Sequence, residues 1–145
     1  LLVASPDYLE RHGRPRTPQD LEGHACLAGG SLDLWKFQTA GHVIEQRVRP
    51  DIRINDGVAI RDAASGGLGI ALMATWCAAE ELRSGALVPV LEDYPLFSTQ
   101  ALWALYPSSR ELAPKVRVFI DWLAERFSPR PYWDEGLDAV LTPRD

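Results

Sequence analysis

The chain has 145 residues, 46% of them hydrophobic, and a formal net charge of −5. This length and composition suit one globular domain with a packed core. The negative charge argues against a surface that binds the phosphates of DNA or RNA. The longest uncharged run, residues 63–79, contains three glycines. It is shorter than the roughly 20 apolar residues of a membrane helix, so no membrane partner is predicted.

The start of the chain and its cysteines bear on where the protein works. The chain begins at Leu1 and its one methionine is Met73, so we expect further sequence upstream. The first residues show no basic stretch followed by an apolar core, which a signal peptide would have. Cys26 and Cys77 lie far apart and predict buried thiols in a reducing compartment rather than a disulfide. A cytoplasmic location is therefore predicted.

The first half of the chain predicts short strands and helices in alternation. Leu1–Ala4 is typical of a strand. A helix begins at Ser5-Pro6, because serine caps a helix and proline suits its first position. Gly13 ends this helix, and Thr17-Pro18 repeats the start signal for a second short one. Four further strands are predicted, the second and third as a hairpin that turns at Gly41-His42: residues 25–27, 34–38, 43–48 and 51–54.

A strand, a helix with a polar start, a glycine stop and a buried strand follow one another between residues 52 and 72. Either Asn55 or Asp56 caps the helix. Gly66-Gly67 ends it, because glycine adopts a left-handed exit at little cost. The unpaired N–H groups and the positive dipole end at the start of such a helix suit a small anion. The simpler interpretation is a helix cap after a strand and nothing more.

The second half continues the alternation. A helix opens at Ala74-Thr75-Trp76, and the strand 86–91 that follows contains Pro89, which predicts an edge position or a strand end. Another strand is predicted from Ser98 to Tyr106, and then a helix over 113–127 with one apolar face. Alternating strands and helices favour an α/β sheet with helices on both faces. Residues 128–145 show no period and predict an irregular tail.

No motif for catalysis or for a cofactor stands out. Gly67-Leu68-Gly69 precedes a predicted strand, whereas a dinucleotide-binding fingerprint follows one. The serines lie in no nucleophile elbow, and the three histidines and two cysteines lack the spacing of metal ligands. We therefore predict no enzyme activity, no metal site and no cofactor.

Four segments occur in an order that is typical of one known family. They are Leu2–Leu9 followed by His12-Gly13, Arg16–Leu21, Asn55–Leu72 with its Gly-Gly-Leu-Gly-Ile-Ala-Leu sequence, and Leu102–Pro107 together with Val116–Leu123. In combination they resemble the inducer-binding domain of LysR-type transcriptional regulators. The resemblance covers most of the chain, and only the last eighteen residues lie outside it.

The resemblance implies a fold and a division of the chain. The expected fold is α/β, one lobe plus the return segment of a two-lobed domain like the type II periplasmic binding proteins. Residues 1–97 would form the second lobe, including the first crossover strand. Residues 98–127 would form the return crossover strand and a C-terminal helix that packs on the first lobe, and residues 128–145 the irregular tail. Most of the first lobe lies outside this chain, which would leave the apolar face of that helix uncovered.

The resemblance also implies site residues. The inducer would bind between the lobes, and the predicted effector-binding residues are Ser5, Pro6, Asn55, Asp56, Gly57, Leu68, Gly69 and Ile70, the last three as an apolar wall. The flank of the helix after Asp56 would face a partner subunit through Val58, Arg61, Asp62 and Ser65. Asp56 would compete with an anionic effector, so either its side chain caps the helix and faces away, or the effector carries a donor group. Ser5 also has a purely structural interpretation as a helix cap.

The function implied is that of a sensor. The chain would belong to a small-molecule effector domain of a LysR-type regulator that works as a homo-oligomer, with a carboxylate or aromatic metabolite as effector. DNA would be bound only through a helix-turn-helix upstream of this chain. A solute-binding protein of a transport system, with the same fold and no DNA, is the alternative.

Overall fold

The part of the chain that the structure describes forms one five-stranded sheet, a separate two-stranded hairpin and helices around them. The computed structural model describes residues 1–30, 33–39, 41–97, 104–105 and 113–141. The strands are Leu2–Ala4 (β1), Cys26–Ala28 (β2), Leu34–Thr39 (β3), His42–Arg47 (β4), Ile52–Arg53 (β5), Ile70–Leu72 (β6) and Val88–Val90 (β7). The helices are Pro6–His12 (α1), Gly57–Ser65 (α2), Thr75–Ser84 (α3), Pro114–Phe127 (α4) and Asp138–Leu141 (α5), with 3₁₀ segments at Pro18–Gly23 and Tyr132–Asp134. No helix within these ranges is long and apolar enough to cross a membrane.

The direction of the strands decides which residues share an end of the sheet. The strand order is β5-β2-β6-β1-β7, and β2 runs parallel to both β5 and β6. β1 runs antiparallel to both of its neighbours, β6 and β7. The end at which β2, β5 and β6 finish is called the carboxyl end here. β1 therefore starts at the carboxyl end and finishes at the opposite end.

Side chains that alternate along the strands build a core on each face of the sheet. Val3, Leu27 and Ala71 point to the face covered by α2 and α3. Leu2 and Ile70 point to the other face, which α1, the first 3₁₀ segment and the hairpin cover. The prediction of helices on both faces holds, although the hairpin supplies much of the second cover through its buried aromatic side chains.

The predicted hairpin and the predicted edge strand are both confirmed. β3 and β4 pair from Leu34↔Arg47 to Thr39↔His42, around the predicted turn. β7 lies at the edge of the sheet and contains Pro89, which lacks an amide hydrogen and is therefore tolerated there. Both cysteines are buried and unpaired, also as predicted.

The end of the chain differs from the sequence-based expectation. The return strand predicted from Ser98 to Tyr106 falls outside the described residues, apart from positions 104 and 105. α4 is present as predicted, and none of its residues is buried. Where an irregular tail is expected, the structure has a 3₁₀ turn and α5, and the side chain of Leu137 is only 1% exposed. The tail has no periodic pattern because it is anchored by single residues rather than by a continuous apolar stripe.

We predict that Gly69→Ala destabilises the fold. A Cβ atom at this position would lie 2.5 Å from the carbonyl oxygen of Ala25, which accepts the backbone hydrogen bond that starts β6. Backbone atoms of a sheet cannot move aside cheaply, so the free energy of unfolding should fall by about 1–3 kcal/mol. Gly23→Ala is the matched control, since a Cβ there meets nothing within 4 Å. Urea unfolding that gives equal stabilities for the two variants would contradict the close approach.

Candidate functional site

Two helices begin side by side at the carboxyl end of the sheet. α2 follows β5 and α3 follows β6, and the two strands point the same way through β2. The first turns of the helices are in contact, since a Cβ atom on Gly57 would lie 3.3 Å from the sulfur of Cys77. We call the surface formed by Gly30, Asn55, Asp56, Gly57, Thr75 and Trp76 the helix-start edge. Ligands of open α/β sheets bind at such an end, outside the finished strands.

The start of α2 presents free amide hydrogens. Asp56 is the N-cap, and its Oδ1 accepts from the backbone N–H of Ala59 at 2.7 Å. The backbone N–H of Ile60 donates to the carbonyl oxygen of Asp56 at 3.0 Å. The amides of Gly57 and Val58 have no acceptor within the described part of the chain. Two N–H donors are therefore exposed at the positive end of the helix dipole.

The start of α3 lacks a side-chain cap. Its N-cap is Ala74, which has no side chain that could accept a hydrogen bond. The backbone N–H of Cys77 donates to the carbonyl oxygen of Ala74 at 3.1 Å. Among the described residues, the amides of Thr75 and Trp76 meet no acceptor. The side chain of Trp76 is 64% exposed and adds an apolar surface beside these donors.

Asn55 links the start of α2 to the loop after β2. Its Oδ1 accepts from the backbone N–H of Gly30 at 2.9 Å, which leaves the Nδ2 group as a donor. Arg53 fixes the same loop by donating to the carbonyl oxygen of Gly30 at 3.1 Å and to both carboxylate oxygens of Asp33 at 2.6 and 2.9 Å. The hydrogen bonds from Arg53 hold the pKa of Asp33 below its usual value. The loop and the helix start are thus held together by hydrogen bonds.

The chemistry of the helix-start edge is that of a donor surface. Four backbone amides and the Asn55 Nδ2 group are available, and two helix dipoles point their positive ends there. The one acidic side chain in the set is Asp56, which uses Oδ1 as the cap of α2. Of the two residues predicted as the cap of α2, Asn55 and Asp56, it is Asp56 that serves. Such a surface suits a carboxylate or another group rich in acceptors.

The structure does not bring the eight predicted effector-binding residues together. Ser5 follows β1, which finishes at the end opposite to the helix-start edge. The pairing register shows that Ser5 and Asn55 are separated by five residue positions in the direction of the strands, which is about 16 Å in that direction. Ser5 is buried, and its Oγ accepts from the backbone N–H of Tyr8 at 3.2 Å, so its observed role is the cap of α1. Pro6 opens that helix at the same far end.

The predicted apolar wall also lies away from the helix-start edge. Leu68 and Gly69 precede β6 and share the far end with Ser5, which lies beside Gly67. Ile70 is fully buried in the core under the hairpin, so its side chain offers a ligand no surface. Leu68 and Gly69 lie there because they precede β6, whose first residue is at the far end, whereas Ser5 and Pro6 lie there because β1 runs antiparallel to β6. A ligand of ordinary size can contact one end of the sheet or the other, but not both.

Three members of the helix-start edge are absent from the sequence-based set. They are Gly30, Thr75 and Trp76. A signal for the last two exists in the sequence, because a predicted helix opens directly after a predicted strand at Ala74-Thr75-Trp76, as it does at Asp56. Two helices that follow parallel strands must start at the same end of the sheet. No comparable signal marks Gly30, which is defined by its bond to Asn55.

The four predicted subunit-contact residues are spaced so that they follow one side of α2, but only two of them are largely exposed. Val58 is 50% exposed, and the side chain of Asp62 is 63% exposed. Arg61 instead turns inward to bridge the helices, with its guanidinium 2.9 Å from Asp62 and 3.1 Å from Glu81 of α3. The Oγ of Ser65 is buried and meets no partner among the described residues.

A thiol lies directly beneath the paired helix starts. Cys77 belongs to the core between α2 and the sheet. Burial raises the pKa of this thiol, and the positive charge of Arg61 opposes that rise. The neutral form is therefore favoured, and Cys77 serves the contact between the two helices as a small apolar side chain.

Comparison with known proteins identifies the family. The model of the LysR substrate binding domain matches residues 1–128 of this chain. The chain belongs to that family. The HTH-type transcriptional regulator CrgA of Neisseria meningitidis is 31% identical over 128 residues, which are 86% of this chain and 42% of that protein. The HTH-type transcriptional regulator DmlR of Escherichia coli is 30% identical over 132 residues, again 42% of its length.

Solved structures agree with this LysR assignment. The regulatory domain of CrgA from N. meningitidis superposes with a TM-score of 0.70 at 30% identity, over 86% of this chain and 62% of that one. The full-length Vibrio cholerae virulence activator AphB, a member of the LTTR family, gives a TM-score of 0.62 at 35% identity, over 66% of this chain and 34% of that one. The predicted type II periplasmic-binding-protein-like fold is therefore confirmed. The chain spans about two fifths of the length of the curated relatives named above.

We predict that Arg61→Glu lowers the thermal midpoint of unfolding, because it places a third carboxylate beside Asp62 and Glu81. Arg61→Gln removes the charge without adding repulsion and should fall between the wild type and the glutamate variant. Circular dichroism on heating measures all three. An Arg61→Glu protein as stable as the wild type would contradict the bridge between α2 and α3.

Proposed function

We propose that this chain is the second lobe and part of the return segment of the effector-sensing domain of a LysR-type, DNA-binding transcriptional regulator. The observation that supports this most is the helix-start edge, where two free amides at the start of α2 and two at the start of α3 lie side by side at the carboxyl end of the sheet. In this proposal residues 1–97 form the second lobe and α4 packs on the first lobe. None of the residues of α4 is buried in this chain, which fits that division.

The effector binds at the helix-start edge, and the first lobe closes over it. Its acceptor group, a carboxylate in our proposal, takes hydrogen bonds from the amides of Gly57 and Thr75 and from the Asn55 side chain. Trp76 supplies an apolar surface for the rest of the molecule. Since the oxygens of the Asp56 side chain act as acceptors, a ligand group placed next to it is a donor such as a hydroxyl. In the proposed site the effector does not contact the other five residues of the sequence-based set, which are Ser5, Pro6, Leu68, Gly69 and Ile70.

The signal leaves the site through α2. The first turn of this helix faces the effector, and its exposed flank, with Val58 and Asp62, faces a partner subunit of the homo-oligomer. Arg61 joins α2 to α3, so the two helix starts are tied into one unit. A change of lobe angle on binding can thus bias the packing of subunits, which is the coupling that allostery requires.

The rest of the regulator lies outside this chain. DNA is bound by a helix-turn-helix upstream, in a cytoplasmic protein, and the domain has no catalytic activity and needs no cofactor. CrgA and DmlR, the relatives described above, are HTH-type transcriptional regulators. Their names favour a regulator over a solute-binding protein of a transport system. The coding sequence upstream distinguishes these two functions. A helix-turn-helix there supports a regulator, and a signal peptide supports a solute-binding protein.

We predict that Asn55→Asp weakens binding of a carboxylate effector by about tenfold to a hundredfold. Aspartate keeps the acceptor for the Gly30 amide but replaces the free Nδ2 donor with a second negative oxygen. Calorimetry on the intact regulator, against a panel of aliphatic dicarboxylates and benzoates, measures the affinity. Ser5→Ala is the control, since Ser5 lies at the far end of the sheet, and its affinity should match the wild type. Equal affinity of Asn55→Asp and wild type, or a loss in Ser5→Ala alone, would refute this site.

A further inference from the structure

The segment after α4 folds back onto α3. We call residues 129–141 the tail segment; the family model ends at residue 128, just before it. Leu137 is 1% exposed and belongs to the same core as Leu82 and Leu87, with Val140 and Leu141 packed at its margin. A buried leucine is a strong anchor, because releasing it exposes its whole side chain to water.

Arg83, in the last turn of α3, holds the backbone of the tail segment. Its Nη2 donates to the carbonyl oxygen of Trp133 at 2.6 Å, and its Nε donates to the carbonyl oxygen of Glu135 at 2.9 Å. Within the segment, Arg130 pairs with Asp138, which holds the pKa of that carboxyl below its usual value. The tail segment therefore binds α3 through one buried side chain and two hydrogen bonds from one arginine.

The first part of the tail segment, at Tyr132 and Trp133, also contacts α4. The rings of Trp133 and Phe127 lie 5.1 Å apart. The guanidinium of Arg126 lies over the ring of Tyr132 at 5.0 Å and over the ring of Trp122 at 5.8 Å. The contact between Arg126 and Trp122 lies within α4, so the tail segment contacts the helix at Arg126 and Phe127, in its last turn. The aromatic side chain of Phe119, one turn before Trp122, is 58% exposed.

We infer that the tail segment is a strap that ties α4 to α3 and so restrains the opening of the two lobes. The inference rests on the proposed function, in which α4 packs on the first lobe whereas α3 belongs to the second. The strap would then be a third connection between the lobes, beside the two crossover strands. Unlike a crossover strand it is held by non-covalent contacts, so it can resist opening and also release.

The inference is tested on the intact regulator with variants that detach the strap. Arg83→Gln removes the guanidinium donors, and Leu137→Ala removes the buried anchor. The control is Arg14→Gln, because Arg14 also donates from an exposed guanidinium to a backbone carbonyl, that of Pro89, but within the second lobe. Hydrogen–deuterium exchange of peptides over 129–141 reports docking. We expect protection in the wild type and in the control, and exchange about tenfold or more faster in the two strap variants.

Lobe opening is measured separately, without any ligand. Spin labels at His42, in the hairpin turn, and at a surface position of the first lobe give the distribution of interlobe distances. We expect this distribution to broaden in Arg83→Gln and Leu137→Ala and to stay unchanged in Arg14→Gln. If either variant misfolds or stays docked, a chain that stops after Ser128 removes the strap altogether, and the same broadening is expected.

Two results overturn the inference. One is a tail segment that exchanges as fast in the wild type as in the variants. The other is an interlobe distribution that does not change when the strap is released or deleted, which would make the tail segment only a local cover for α3. A failure of the proposed effector site is distinguishable, because it appears in calorimetry with the carboxylate panel and leaves these ligand-free measurements as they are.

Discussion

The parallel run of β2, β5 and β6 is the constraint on which the site depends. A helix that follows a strand directly must start at the end where that strand finishes, so two successive strand–helix units in one parallel set put two helix starts next to each other. In this chain both starts keep free amides, since α2 is capped at one amide only and α3 at none by a side chain. The donor surface is thus a consequence of topology, and the side chains of Asn55 and Trp76 refine it.

The same topology separates residues that look like partners in the sequence. Ser5 and Asp56 both cap helices that follow strands. The antiparallel direction of β1 places them at opposite ends of the sheet. Strand direction is set by pairings between residues far apart in the chain, such as Leu2 with Leu72, and no local pattern encodes it. For this reason the hairpin, the edge position of β7 and the helices other than α5 can be predicted from the sequence, and the cap of α2 can be narrowed to Asn55 or Asp56. The grouping of the site residues cannot be predicted in this way.

Two further features lay beyond sequence reasoning for a related reason. Arg61 has the position of a surface residue on α2, but its long side chain reaches Glu81 on the neighbouring helix. The tail segment lacks an apolar period, yet Leu137 alone fills a place in the core and Arg83 binds the backbone around it. A single residue can act as an anchor in this way only if two elements are neighbours in the folded chain, and the local sequence does not show which elements are neighbours. A periodic pattern, by contrast, identifies the α4 helix without any knowledge of its neighbours.

A crystal structure of the intact regulator with the tightest-binding member of the carboxylate panel shows whether the helix-start edge is the effector site. We expect a ligand acceptor atom within hydrogen-bonding distance of backbone amides at the starts of both α2 and α3, that is, of Gly57 or Val58 and of Thr75 or Trp76. A ligand held at the opposite end of the sheet, beside Ser5 and Leu68, would contradict it, and so would a ligand that leaves all four amides without an acceptor.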